Sequence, residues 1–130
     1  MLGTVLVLLS ACGLVGIGPT DEELVDATLA EWRDAVVAGD VDRMLATYSD
    51  EFACFDAPSR EAMRELMIGL REQGALRGVE VYLDRADTVA AGDTIAVFPV
   101  EMIGPHANLT VFRLTLREEG GRWLISGQEW

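Results

Sequence analysis

Trp32-Arg33-Asp34-Ala35-Val36-Val37-Ala38-Gly39-Asp40-Val41-Asp42-Arg43-Met44-Leu45-Ala46-Thr47-Tyr48-Ser49-Asp50-Glu51-Phe52 contains a helix end, a helix start and a turn from helix into strand. Trp32, Ala35 and Val36 continue a period that begins at Leu24, Val25, Thr28 and Leu29, so one buried face is predicted along a helix from Asp21 to Ala38. Gly39 stops that helix. Asp40 then caps a short second helix through Val41, Met44, Leu45 and Tyr48. Ser49-Asp50-Glu51 is expected to turn the chain into a strand at Phe52 to Phe55.

Upstream, Thr20 and Glu23 have the spacing of a capping box, and Asp21 and Glu22 sit in the first turn, where the helix dipole favours anions. Downstream, Ser59 after Pro58 caps a third helix with Met63, Leu66, Met67 and Leu70 on one stripe, and Gly74 ends it. From Gly78 the period changes to two. Val79, Val81 and Leu83 alternate in a strand that Ala91-Gly92-Asp93 joins to Thr94 through Ile103. Gly104-Pro105-His106-Ala107 leads to Asn108 through Arg117, and Glu119-Gly120-Gly121 to a last strand, Trp123 to Glu129. Phe112, Leu114 and Leu116 alternate with Arg113, Thr115 and Arg117, as in a sheet with one wet face. Pro99 lacks an amide donor and marks a bulge or bend, which leaves the strand's parity beyond it open.

Helices followed by strands give an α+β class. The stretch from Trp32 to Phe52, with Gly120-Gly121-Arg122-Trp123-Leu124-Ile125, resembles nuclear transport factor two-like domains, including SnoaL-like and ketosteroid-isomerase-like members. The resemblance covers most of the chain beyond the N-terminal segment, and its motifs are structural ones. It implies a cystatin-like cone, with N-terminal helices packed on a curved antiparallel sheet and a pocket at the open end. It also implies a possible homodimer through the outer sheet face.

The N-terminus carries a different signal. Val5-Leu6-Val7-Leu8-Leu9 runs into Leu9-Ser10-Ala11-Cys12, which resembles a bacterial lipoprotein signal ending in a lipobox. The apolar run is far shorter than the roughly 20 residues a membrane-spanning helix needs, and it fits a signal h-region instead. Residues 1–11 would then be removed, Cys12 would carry the lipid, residues 12–19 would form a short tether, and residues 20–130 the domain. Met1 to Thr4 carries no Lys or Arg, which leaves an upstream start open. The alternative is a buried first element with an ordinary core cysteine. On the lipoprotein reading the protein belongs to the bacterial cell envelope, held on the extracytoplasmic side of a membrane.

Composition narrows the function. Twenty-two acidic residues against 10 basic give a net charge of -12, which argues against nucleic acid and against unassisted binding to anionic lipid. Every basic side chain apart from His106 is arginine, so Schiff-base chemistry, pyridoxal phosphate attachment and a P-loop lysine have no residue to use. A single histidine rules out a histidine-rich metal site, and no metal or cofactor is expected. Cys54, among Phe52, Ala53 and Phe55, reads as a buried, inert thiol.

Trp32, Tyr48, Phe52, Phe55, Met63, Met67, Phe98, Met102, Phe112 and Trp123 are expected near the pocket, although large aromatic and thioether side chains also fill any ordinary core. Four residues are candidates for acid-base work. Glu101, between Val100 and Met102, would be a desolvated base if inward; outward, it would be a solvated partner of Arg113. Asp56 reaches the mouth of the cone in one reading and is a turn residue before Pro58 in the other. Tyr48 and His106 are candidate polarising donors, His106 lying in what reads as a solvent-facing hairpin tip. Two functions follow: a non-catalytic envelope lipoprotein that binds a small apolar ligand or docks a protein, and, as the alternative, a lyase or isomerase with a carboxylate base.

Overall fold

The computed structural model describes residues 20–105 and 108–130. The signal, Cys12 and its tether, and His106 lie outside the described residues.

Helix α1 (Asp21–Ala38) starts where its side chains make a start possible: Glu23 N–H donates to Thr20 Oγ1, and Thr20 N–H to the Glu23 carboxylate. It ends at Gly39, whose φ of 69° lies in the left-handed region that favours glycine. Asp40 accepts from Arg43 N–H and opens α2 (Val41–Leu45), while Ser59 does the same through Ala62 N–H for α3 (Arg60–Glu72). Arg60 pins the two short helices together by donating through Nε and Nη2 to the Leu45 carbonyl, at 3.1 and 2.7 Å.

Strand β1 (Tyr48–Cys54) begins four residues before the expected Phe52. Long-range pairing overrides the local turn signal here: Ile125 N–H donates to the Thr47 carbonyl at 2.8 Å, and Tyr48 stands opposite Ile125. Ser49 is buried within the strand and donates to the Glu119 carboxylate at 2.6 Å. The segment expected as one strand after Gly78 forms two, β2 (Glu80–Tyr82) and β3 (Asp87–Ala91), separated by a bend closed by Ala86 N–H on the Leu83 carbonyl. Both pair with the same edge of β4 (Thr94–Ile103). β5 (Leu109–Glu119) and β6 (Arg122–Glu129) continue the sheet in the order β1-β6-β5-β4, with β2 and β3 beyond. The sheet is mixed rather than wholly antiparallel, because β1 runs parallel to β6. After β1 the chain passes through α3 to the far edge of the sheet, and the later strands then return across it until β6 lies alongside β1.

Pairing of β4 with β5 shifts register between Val97 and Val100, around Pro99. The Phe98–Pro99 bond is cis. Val97 and Val100 both face the core, at 1% and 0% exposure, so inner and outer positions exchange across this irregularity. The core lies between this inner face and the helices. Trp32, Val25 and Val36 of α1 and Leu45 of α2 meet Phe112, Leu114, Leu116 and Ile125 there. Thr28 Oγ1 donates to the Trp123 carbonyl at 2.6 Å, binding α1 to β6.

Candidate functional site

At one end of the cone the helices and the sheet leave a cavity of about 130 Å³. Its walls follow from the periodicities above. α1 contributes Trp32 and Val36, and α2 contributes Met44. From α3 come Met63, Leu66, Met67 and Leu70, the stripe read from the sequence, with Leu76 just beyond. The sheet supplies Tyr48 and Cys54 of β1, Met102 of β4 and Phe112 of β5. Asp56, Gln128 and Trp130 complete the lining. All four methionines after Met1 are in this wall, and their flexible thioethers suit an irregular space.

The aromatic groups are held in a fixed arrangement. Trp32 Nε1 donates to the Tyr48 hydroxyl at 3.3 Å, and the Trp32 ring meets Phe112 edge-on at 6.1 Å between centroids. Trp130 leans over Phe112 at 5.1 Å, and its Nε1 donates to Asp56 Oδ2 at 2.5 Å. This indole–carboxylate contact joins the β1–α3 loop to the end of β6 across the rim of the cavity. Burial pushes the Tyr48 hydroxyl well above the ordinary tyrosine range, with the Trp32 N–H pulling weakly the other way. Tyr48 is therefore a neutral hydroxyl at physiological pH.

The candidate residues separate. Tyr48, Asp56, Trp32, Met63, Met67, Met102 and Phe112 share the cavity. Phe52 is buried against Tyr48, 4.6 Å between ring centroids, and is core rather than lining. Glu101 faces away from the cavity. Beyond the register shift Val100 and Met102 turn inward, so Glu101 lies on the outer face opposite Tyr82 and Val111, where it pairs with Arg85 at 2.8 Å and not with Arg113. Arg113 instead lies over the Phe98 ring at 5.0 Å and pairs with Glu129. Phe98 is 45% exposed, and Phe55, past the end of β1, is 94% exposed; neither borders the cavity. Trp123 is inward but at the other end of α1, where its Nε1 donates to Asp21. Cys54 is only partly buried, against the expectation of a fully buried thiol.

Val36, Met44, Cys54, Leu66, Leu70, Leu76, Gln128 and Trp130 belong to the site without having been singled out as its residues. Met44, Leu66 and Leu70 lay on helical stripes already visible in the sequence, whereas Trp130 follows the last strand with no pattern to place it. Among the described residues no group of three or more His, Cys, Asp or Glu converges as a metal site.

Among the described residues, three helices set against one face of a six-stranded sheet, with an apolar cavity at one end, define a pocket-bearing α+β domain of the cystatin-like fold. The SnoaL-like domain family matches residues 25–128, and the chain belongs to that family. No curated protein matches it by sequence. Among solved structures, it is similar to a Nostoc punctiforme protein of unknown function with a cystatin-like fold, at a TM-score of 0.69 and 17% identity over 84% of this chain and 90% of that one. A Pseudomonas putida NTF2-like protein of unknown function aligns at 0.63 and 20% identity, over 82% of each chain. An NTF2-like protein with a cystatin-like fold from Novosphingobium aromaticivorans aligns at 0.66 and 18% identity, over 98% of this chain and 89% of that one.

Proposed function

We propose that the protein is a membrane-anchored envelope lipoprotein whose cavity binds a small apolar ligand without transforming it. The observation that carries the binding reading is the lining: mostly carbon and sulfur side chains, with the Trp32 N–H and the Tyr48 hydroxyl bonded to each other, the Trp130 N–H bonded to Asp56, and Asp56 and Gln128 as the other polar groups. An apolar cavity of about 150 Å³ stays dry and accepts benzene, so this one suits a single ring or a branched chain of similar bulk. Thermal-shift screening with hydrophobic compounds of that size is expected to raise the melting temperature, and an inert protein across such a set would end this reading. The increase follows mass action and grows with ligand concentration.

A second reading, a lyase or isomerase, is favoured by one observation: Tyr48, neutral and fixed by Trp32, shares the cavity with Asp56. Asp56 would take a proton from a substrate carbon and Tyr48 would stabilise the oxygen on which charge develops. Turnover that survives Asp56→Asn would exclude it.

Anchoring rests on Leu9-Ser10-Ala11-Cys12. Two or more acyl chains on Cys12 hold a protein on a membrane where one is marginal, and an acidic chain has no electrostatic route to the same place. Among the described residues no helix is long and apolar enough to cross a membrane. Intact-mass measurement of a membrane fraction is expected to find a chain starting at lipidated Cys12, and Cys12→Ala to leave an uncleaved, unlipidated product. A native chain that keeps Met1 and carries no lipid would return Cys12 to the alternative reading.

Self-association through the outer sheet face is supported by a row of small residues. Val89, Ala96, Thr115, Gly127 and Ala53 stand opposite one another across five strands, so two such faces can approach closely. Sedimentation equilibrium is expected to give twice the chain mass, falling to one chain in Ala96→Arg. A monomeric native chain would remove the proposal.

A further inference from the structure

We infer that the ligand carries a positively charged nitrogen at the Asp56 end of the cavity and an apolar ring or branched chain within it. This inference rests on the ligand-binding reading above and adds the chemical class.

Among the described residues, none of the side chains that line the cavity is basic. Among the described residues Asp56 is its only carboxylate, and no arginine lies within ion-pair distance of it. Its described side-chain partner is the Trp130 N–H on Oδ2, a neutral donor that leaves the carboxylate's charge uncompensated. Six of the ten arginines are committed elsewhere: Arg33 to Asp34, Arg43 to Glu31, Arg64 to Asp42, Arg85 to Glu101, Arg113 to Glu129 and Arg117 to Glu51. The rim therefore presents a negative charge with room for a cation.

Behind that carboxylate stand four aromatic rings, Trp32, Tyr48, Phe112 and Trp130. The negative face of an aromatic ring attracts an ammonium and repels an anion, and the attraction grows as water is excluded. The Trp32 N–H is already given to Tyr48 and the Trp130 N–H to Asp56, so neither indole is left to donate to a ligand anion. A net charge of -12 adds a long-range field that concentrates cations near the protein and disfavours anionic ligands.

The test uses three probes that share one ring and differ in charge: benzylamine, benzyl alcohol and benzoate, titrated calorimetrically into the full-length protein at pH 7. Benzylamine is expected to bind about tenfold more tightly than benzyl alcohol, the size of one partly desolvated cation–π and carboxylate contact, and benzoate more weakly than either. Asp56→Asn is expected to abolish the gap by weakening benzylamine toward the alcohol. Asp56 is exposed on a loop, so this variant keeps the core intact. Benzyl alcohol binding as tightly as benzylamine, or a preference that persists in Asp56→Asn, would overturn the charge inference and leave the apolar-ligand reading standing. If none of the three probes binds, both the charge inference and the apolar-ligand reading are overturned.

Discussion

Trp32→Ala is expected to cost about 3–5 kcal/mol of folding stability, the range for removing a large aromatic side chain from a packed core. Trp32 is 2% exposed, meets Phe112 edge-on, and supplies the hydrogen bond to Tyr48 that fixes one wall of the cavity. A whole domain holds about 5–15 kcal/mol, so this one truncation removes a large share of the total. The urea midpoint should fall sharply while the slope of the transition stays near its native value. Trp32→Phe separates packing from hydrogen bonding: it keeps a ring and removes the donor, and about 1 kcal/mol is the expected difference for that lost bond. A loss under about 1 kcal/mol in Trp32→Ala would mean the helix does not rest on the sheet at this point, contrary to its burial.

The second large effect is alkaline. Burial holds the Tyr48 proton far more tightly in the folded chain than in the unfolded one, where a tyrosine ionises near a pKa of about 10. Below that pH the group is neutral in both states and its contribution is complete. Above it the unfolded chain loses a proton that the folded chain retains, so unfolding becomes easier by about 1.4 kcal/mol per pH unit. Comparing urea unfolding of the native chain and Tyr48→Phe between pH 9 and 11 isolates this contribution, since Tyr82 is present in both. The expected result is a shallower decline in Tyr48→Phe above pH 10. Parallel curves would show that Tyr48 ionises in the folded state. Tyr82, on the surface, is also shifted up, through its hydrogen bond to Glu80, and its phenolate should appear by absorbance without unfolding.

The helices were legible because their signals are local. Thr20 and Glu23, Gly39, Asp40 and Ser59 set the ends through contacts within a few residues, and each does so in the structure. The sheet was less legible because its decisive contacts are distant. Nothing in Tyr48–Cys54 says that its neighbour is β6 or that the pair is parallel. Ser49-Asp50-Glu51 has the polarity of a turn, and distant contacts keep it in a strand: the pairing of β1 with β6 and the burial of Ser49 against Glu119. The candidate site was legible where it depended on helical stripes, as with Trp32, Met63 and Met67. It was obscured where one irregularity decides the face: the register shift at Pro99 turns Glu101 outward and Met102 inward. Phe55 was misplaced for a simpler reason, since β1 ends at Cys54 and alternation no longer applies beyond it.

Placing β6 between β1 and β5 also sets an order of events. During synthesis Tyr48–Cys54 emerges long before Arg122–Glu129, the strand that gives it a sheet neighbour. Until that strand is available β1 has no hydrogen-bonding partner, and closing the loop between them costs chain entropy before any pairing offsets it. Helices α1 to α3 can form early, but the sheet that covers them cannot close. Loss of the final strand would therefore strand the whole N-terminal half rather than trim an edge, and a nascent chain stopped short of Arg122 would stay open and sensitive to protease.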